Sequence, residues 1–284
     1  MKTLLAIINN PEKGKNFIRY AIDMGEYLSS NVHLIYVQEP INYPVGSNEA
    51  PGVMVTQVQY GLENLVKIAE ATLKKHIDEI VANKSNEISV KYTVELGSVS
   101  VIAELLTEKE ADMMIIEDQN DEGFWTQTPS NNDMIRNVNC PVWIIPNKAS
   151  FKPFSKIIYA SDYNAEDIFN LKRIIALLGS FSPGIIALHV SDSFDFEERV
   201  KKTGFNKMLQ EKIDYGHISV KLLREKENAD VAELVTDYAL QINANLIVVI
   251  KENKSFIERI FKSDTTSEIL KKSMLPVLIF HEPI

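Results

Sequence analysis

Five histidines, one cysteine, two acidic clusters and one basic, hydroxyl-rich stretch are the parts of this 284-residue chain whose residue types could do chemistry. The histidines are His33, His76, His189, His217 and His281. None has a second His or Cys at metal-ligand spacing, so a satisfied structural role is expected for each. Cys140 stands alone in an apolar, strand-like context, which excludes an internal disulfide and a paired-thiolate metal site. It should behave as a small buried hydrophobe. The chain has no Gly-x-Ser-x-Gly, no Walker-type loop and no Gly-x-Gly-x-x-Gly. Asp192-Ser193-Phe194-Asp195-Phe196-Glu197-Glu198 reads as a polar loop and a helix start, and Trp125 and Trp143 as core or interface residues. No catalytic residues and no metal site emerge, and the chain reads as something other than an enzyme.

Composition narrows the partners. The formal net charge is -9 and the isoelectric point about 5.2, which argues against non-specific nucleic-acid binding, since that needs a basic face to displace phosphate counterions. The apolar run Leu4 to Ile8 is too short for the core of a signal peptide, and no apolar segment approaches the length that spans a bilayer. The expectation is a cytoplasmic protein without a membrane partner.

The elements that must position any site follow from periodicity. Leu4 to Ile8 and Val32 to Val37 are continuous apolar runs of the kind buried in parallel sheets. Between them Phe17, Ile18, Ala21, Ile22, Met24 and Leu28 recur at helical spacing over about 16–28. Glu39 to Met54, with three prolines and two glycines, reads as a long irregular excursion, which in a compact domain is an interface arm, a functional loop or a mobile one. A long amphipathic helix is predicted over Thr56 to Ile80, a strand over Ser89 to Val94 and a helix over Val101 to Glu108. Strands are predicted over Asp112 to Ile116 and Val142 to Ile145. After a linker, Asn147 to Phe154, the series restarts: strand Lys156 to Ala160, helix Ala165 to Leu178, strand Gly184 to Val190, helix Phe196 to Tyr215, strand Ile218 to Leu223, helix Val231 to Gln241, and strands Leu246 to Ile250 and Val277 to Phe280. Alternating strands and helices imply two tandem α/β domains, 1–148 and 152–284, each a doubly wound, Rossmann-like parallel sheet.

The restart is a repeat. Leu4 corresponds to Ile157 and Val37 to Val190, at one offset (157 − 4 and 190 − 37, both 153). Ala111 matches Ala244 at 133 and Pro141 matches Pro276 at 135, so the first half carries about twenty extra residues, the long loop.

Lys156-Ile157-Ile158-Tyr159-Ala160-Ser161-Asp162, Ala187-Leu188-His189-Val190, Ala244-Asn245-Leu246-Ile247-Val248-Val249 and Ser267 to Leu278 together resemble the universal stress protein family in its tandem form. The resemblance covers nearly the whole chain. In the nucleotide-binding branch of that family the loop after the fourth strand reads Gly-x2-Gly-x9-Gly-Ser/Thr and wraps a triphosphate, because glycine lets backbone N–H groups approach phosphate. Here the matching positions of the second half are Asn253, Phe256 and Ser263, followed by Asp264, so all three glycines are gone. In the first half Glu117, Asp118, Asp121 and Glu122 stand where phosphates would sit. Two like charges ~4 Å apart repel by about 1 kcal/mol in water and about 4 kcal/mol at a partly screened surface. The family's first-strand Asp, which contacts the base, is Asn9 in the first half and Asp162 in the second.

The resemblance therefore implies a stress-response binding or regulatory protein, non-catalytic, with no cofactor expected and the halves packed as a pseudo-dimer through their fifth strands. Two chains assembling further, and a protein partner, stay open. ATP is the alternative ligand, in the second half only, through Asp162, Val190, Lys251, Asn253, Lys254, Ser263, Thr265 and Thr266, with Arg259 and Lys262 adding charge. It would make the chain an ATP-binding switch with weak hydrolysis. A small-ligand carrier closed by Glu39 to Met54 is the third reading. Without nucleotide, Asp162 becomes a helix or turn cap.

Overall fold

A computed structural model describes residues 2–38, 51–84, 88–97, 111–118, 138, 140–191, 195–224, 231–250 and 275–280. The chain divides into two compact units, one of Met1–Glu117 with Gly123–Cys140, the other of Asp118–Glu122 with Pro141–Ile284. The first holds β1 (Thr3–Ile8), α1 (Lys15–Tyr27), β2 (Asn31–Gln38), α2 (Pro51–Val81), β3 (Val90–Leu96) and β4 (Met113–Glu117). Its strands run in the order β3-β2-β1-β4 and are all parallel. The second holds β5 (Val142–Ile145), β6 (Lys156–Ala160), α3 (Ala165–Leu178), β7 (Gly184–Ser191), α4 (Phe196–Lys212), β8 (Ile218–Arg224), α5 (Val231–Gln241), β9 (Leu246–Ile250) and β10 (Val277–Phe280). Its order is β5-β10-β9-β6-β7-β8, parallel except for β5, which runs antiparallel to β10.

The strands of both units are built from the apolar runs the sequence displays. Every residue of β4 except Glu117, and every residue of β5, β9 and β10, is buried. Strands apolar on both faces need cover on both faces, which is why helices alternate with them. Gly25 in α1 is a point of close approach, because a Cβ there would lie 2.2 Å from the Val32 side chain of β2.

The repeat is visible in matched backbone contacts. In the first unit Asp112 Oδ2 accepts from the Thr3 N–H at 2.7 Å, and the Asp112 N–H donates to the Thr3 carbonyl at 3.1 Å. In the second Asn245 Oδ1 accepts from the Lys156 N–H at 3.2 Å, and the Asn245 N–H donates to the Lys156 carbonyl at 2.9 Å. Ser29 and Ser182, at the same offset (182 − 29 is 153), both take the left-handed conformation, with φ of 51° and 52°. One way of anchoring the fourth strand to the first has been kept in two copies, although the side chain differs.

The structure departs from the sequence pattern in several places. Helix α2 begins at Pro51, inside the stretch read as irregular, because the fixed φ of proline suits the first helical position. The rest of that stretch, 39–50, and the helix expected over 101–108 lie outside the described residues. Helix α4 ends at Lys212 and not at Tyr215. Ile213 is extended, and the Tyr215 hydroxyl instead donates to the Pro183 carbonyl at 2.6 Å.

Residues 147–154 are a packed connection more than a loose linker. Ala149 and Phe154 are buried, Phe154 stacks on Trp143 at 5.3 Å, and Phe151 meets Phe154 edge-on. Trp143 itself is fully buried, with its indole N–H unpartnered among the described residues. Asn245 holds the end of this connection through the Ser155 and Lys156 N–H groups and the Pro153 carbonyl. Replacing Asn245 by Ala removes all three bonds, and urea unfolding should show a loss of about 1–2 kcal/mol.

Candidate functional site

Open α/β sheets place ligands at the carboxyl ends of their strands, so the residues to follow are those leaving β6 and β7. The turn after β6 is fixed from within. The Ser161 N–H donates to the Leu188 carbonyl of β7 at 2.9 Å, and its hydroxyl donates to Asp167 Oδ2 at 2.7 Å while accepting from the Tyr163 N–H at 3.0 Å. Asn164 is the N-cap of α3, with its N–H given to Asp167 Oδ2 at 2.9 Å in a reciprocal capping box. The Tyr159 hydroxyl donates to the other oxygen of Asp167. Burial, reinforced by the adjacent Asp167 carboxylate, pushes that phenol far above its usual range, so Tyr159 stays a donor. The buried Asp167 thus has three donors.

That turn sends Asp162 outward and Tyr163 inward. The Asp162 side chain is 55% exposed and lies 3.6 Å from His189 Nδ1. Tyr163, in the left-handed conformation at φ 60°, is buried. Its ring lies against His189 at 4.9 Å and stacks on Phe205 of α4 at 5.0 Å, and its hydroxyl donates to the Lys221 carbonyl at 2.7 Å. Burial, with the Glu198 charge adding to it, raises the Tyr163 phenol as well.

His189 is the centre of the group. Its Nδ1 lies 2.8 Å from the Ser161 carbonyl, which can only accept, so Nδ1 carries the hydrogen. Its Nε2 lies 3.4 Å from Glu198 Oε2, while Glu198 Oε1 accepts from Lys201 Nζ at 2.7 Å. Glu198 is buried, and its Oε2 has no hydrogen-bond partner among the described residues. A histidine between two carboxylates has the orienting half of a nucleophile-activating triad. The other half is missing, because Ser161 turns its carbonyl to the ring and commits its hydroxyl to Asp167. Nor do the described residues contain a group of three or more His, Cys, Asp or Glu that could hold a metal ion.

The first unit has a different chemistry at the matching places. Asn9 stands for Asp162 and Tyr36 for His189; Tyr36 donates to Gln38 Oε1 at 3.1 Å. Asn10 Oδ1 accepts from the Glu12 and Lys13 N–H groups, an Asx turn. Of the carboxylates after β4, Asp118 is buried and its N–H donates to the Ile145 carbonyl at 2.7 Å. Asp121 and Glu122 lie outside the described residues.

Of the residues that would line a nucleotide site in the second half, Asp162 and Val190 are described. Val190 is half-buried and pairs with Leu223 of β8. Lys251, Asn253, Lys254, Ser263, Thr265 and Thr266 lie outside the described residues, as does His281. His33 Nε2 meets the Thr93 hydroxyl at 2.7 Å and His189 is engaged, as expected. His76 departs from that expectation, since both ring nitrogens are buried without a hydrogen-bond partner among the described residues. Glu198, which the sequence places in a polar loop and helix start, is buried and faces His189. Helical spacing was the available signal, because Glu198 precedes Phe205 by two turns and so shares the buried face of α4 with it and Leu209.

No family model and no curated protein matches the chain. Solved structures do. A universal stress protein from Archaeoglobus fulgidus is similar over 99% of this chain and 96% of its own, at 13% identity and a TM-score of 0.57. One described as a putative universal stress protein from Pseudomonas aeruginosa is similar over 99% and 93%, at 14% identity and a TM-score of 0.58. The fold is that of the universal stress proteins. A functionally unknown protein from Pseudomonas aeruginosa shares it too, over 99% of this chain and 92% of its own, at 14% identity and a TM-score of 0.56. The universal stress protein fold is α/β and spans both repeats, as the sequence pattern leads one to expect. No described helix is long and apolar enough to cross a membrane.

Cys140 is half-buried, and burial pushes its thiol up to about 11. At pH 8 only about one thiol in a thousand would then be the reactive thiolate. Iodoacetamide should alkylate Cys140 roughly 100-fold more slowly than a free cysteine at that pH, as measured by mass spectrometry, with the rate climbing towards pH 11.

Proposed function

We propose that the protein is a non-catalytic stress-response binding or regulatory module of the tandem universal stress protein type, working without nucleotide. The observation that carries this reading is the state of the crevice beyond β6 and β7, where a nucleotide base would be expected. Tyr163, His189, Phe205 and Glu198 pack against one another there, and Tyr163 is tied to the backbone of β8. Opening that space would unstack Tyr163 from Phe205 and draw His189 away from the buried Glu198, and a ligand would have to offset both costs.

The tandem character is supported by the antiparallel ladder of β5 on β10, the fifth strands of the two repeats, in which Val142, Trp143 and Ile144 face Ile279, Leu278 and Val277. The fold shared with universal stress proteins supports the stress-response reading, and the commitment of the Ser161 hydroxyl to Asp167 supports the non-catalytic one.

Titration calorimetry of the full chain with ATP and Mg²⁺ tests the reading. No binding tighter than about 100 μM is expected. Tighter binding that disappears in Asp162→Ala would overturn it in favour of an ATP-dependent switch.

A further inference from the structure

Among the described residues β3 pairs with β2 alone, so one side of β3 is an open ladder. The Val32 N–H donates to the Ser89 carbonyl at 2.9 Å and the Gly97 N–H to the Gln38 carbonyl at 3.1 Å. With the parallel register between them, Lys91, Thr93 and Glu95 also turn their backbone groups to β2. Val90, Tyr92, Val94 and Leu96 therefore direct theirs away from β2. This edge is apolar for an exposed one, with Leu96 at 48% exposure and Val90, Tyr92 and Val94 only half-buried. Edges of this kind invite another strand unless charge or proline guards them.

The order of residues on β3 selects the strand that fits. Val90-Lys91-Tyr92-Thr93-Val94-Glu95-Leu96 is complementary to itself about Thr93. In an antiparallel pair with Thr93 opposite Thr93, Lys91 faces Glu95 twice, Tyr92 faces Val94 twice and Val90 faces Leu96 twice. The backbone agrees with this register. Thr93, Lys91 and Glu95 have spent their hydrogen bonds on β2, so they fall at the non-hydrogen-bonded positions, where facing side chains come closest. Tyr92, Val94, Val90 and Leu96, with outward groups, fall at the hydrogen-bonded positions.

The other outer strand gives the contrast. Ile218-Ser219-Val220-Lys221-Leu222-Leu223-Arg224 of β8 carries two cations and no carboxylate, so no antiparallel register of β8 on itself sets opposite charges together. That edge is guarded, whereas the edge at β3 carries its own complement.

We propose that β3 is a self-association edge, through which two copies of this chain join by an antiparallel β3–β3 ladder around a twofold axis at Thr93. Such an interface is isologous, with each Lys91 reaching the partner's Glu95 and the reverse. It goes beyond the function proposed above and stands independently of nucleotide binding.

Sedimentation equilibrium of the full chain tests it. A species of twice the 32.2 kDa chain mass is expected at concentrations of about 50 μM. Lys91→Glu and Glu95→Lys should each raise the dimer dissociation constant at least about 10-fold, because each sets like charges opposite at both ends of the ladder. The double variant K91E/E95K restores opposite charges and should restore the dimer. Val94→Pro removes an outward N–H while leaving the ladder to β2 its partners, and should give a folded monomer by circular dichroism. A monomer at every concentration would overturn the proposal. So would a dimer indifferent to the single reversals or to Val94→Pro, or a double variant no tighter than the singles.

Discussion

The ladder between β5 and β10 is the constraint on which the second unit depends. Each strand is four residues long and wholly buried. β10 takes β9 on one side in parallel and β5 on the other in antiparallel. Without β5 the apolar edge of β10 would meet water with its N–H and C=O groups unpaired. The first repeat supplies that strand in sequence, yet the compact unit it joins is the one formed by the second repeat. The chain between β5 and β6 is consequently held and not slack, with Phe154 stacked on Trp143 and Asn245 gripping Pro153, Ser155 and Lys156.

Against this shared scaffold, the strand ends have diverged. The anchoring of the fourth strand on the first is the same in both units, using Asp112 in one and Asn245 in the other. At the carboxyl ends the second unit sets Asp162, His189, Glu198 and Lys201 together, while the first has Asn9 and Tyr36 at the matching positions. Backbone geometry persists because a register slip would turn every buried side chain of a strand to the wrong face. Side chains at strand ends carry no such penalty. A buried carboxylate such as Glu198 is tolerated because Lys201 neutralises one oxygen and His189 faces the other.

Much of this was legible in the residues. Continuous apolar runs marked β1, β2, β4, β5, β9 and β10, because strands covered on both faces leave no room for polar alternation. The offset between the halves marked the repeat, and its resemblance to tandem universal stress proteins marked the pairing of fifth strands. The hidden part was the polar chemistry. Glu198 sits in an acidic run that reads as solvated, and only its helical phase with Phe205 and Leu209 betrays that it turns inward. Tyr159 and Asp167 are eight residues apart, and their meeting depends on how the turn at Ser161 and Tyr163 folds back. The start of α2 was obscured by Pro51, which can open a helix as well as break one.

The central claim is that the fifth strand of the first repeat folds as part of the second unit. Hydrogen exchange of the intact chain through a denaturant series reads this directly, since strands of one cooperative unit lose protection together. The account predicts that amides of Val142–Ile145 open with those of Leu246–Ile250 and Val277–Phe280. Amides of Val142–Ile145 opening with those of Thr3–Ile8 and Met113–Glu117, while Val277–Phe280 stays protected, would contradict it.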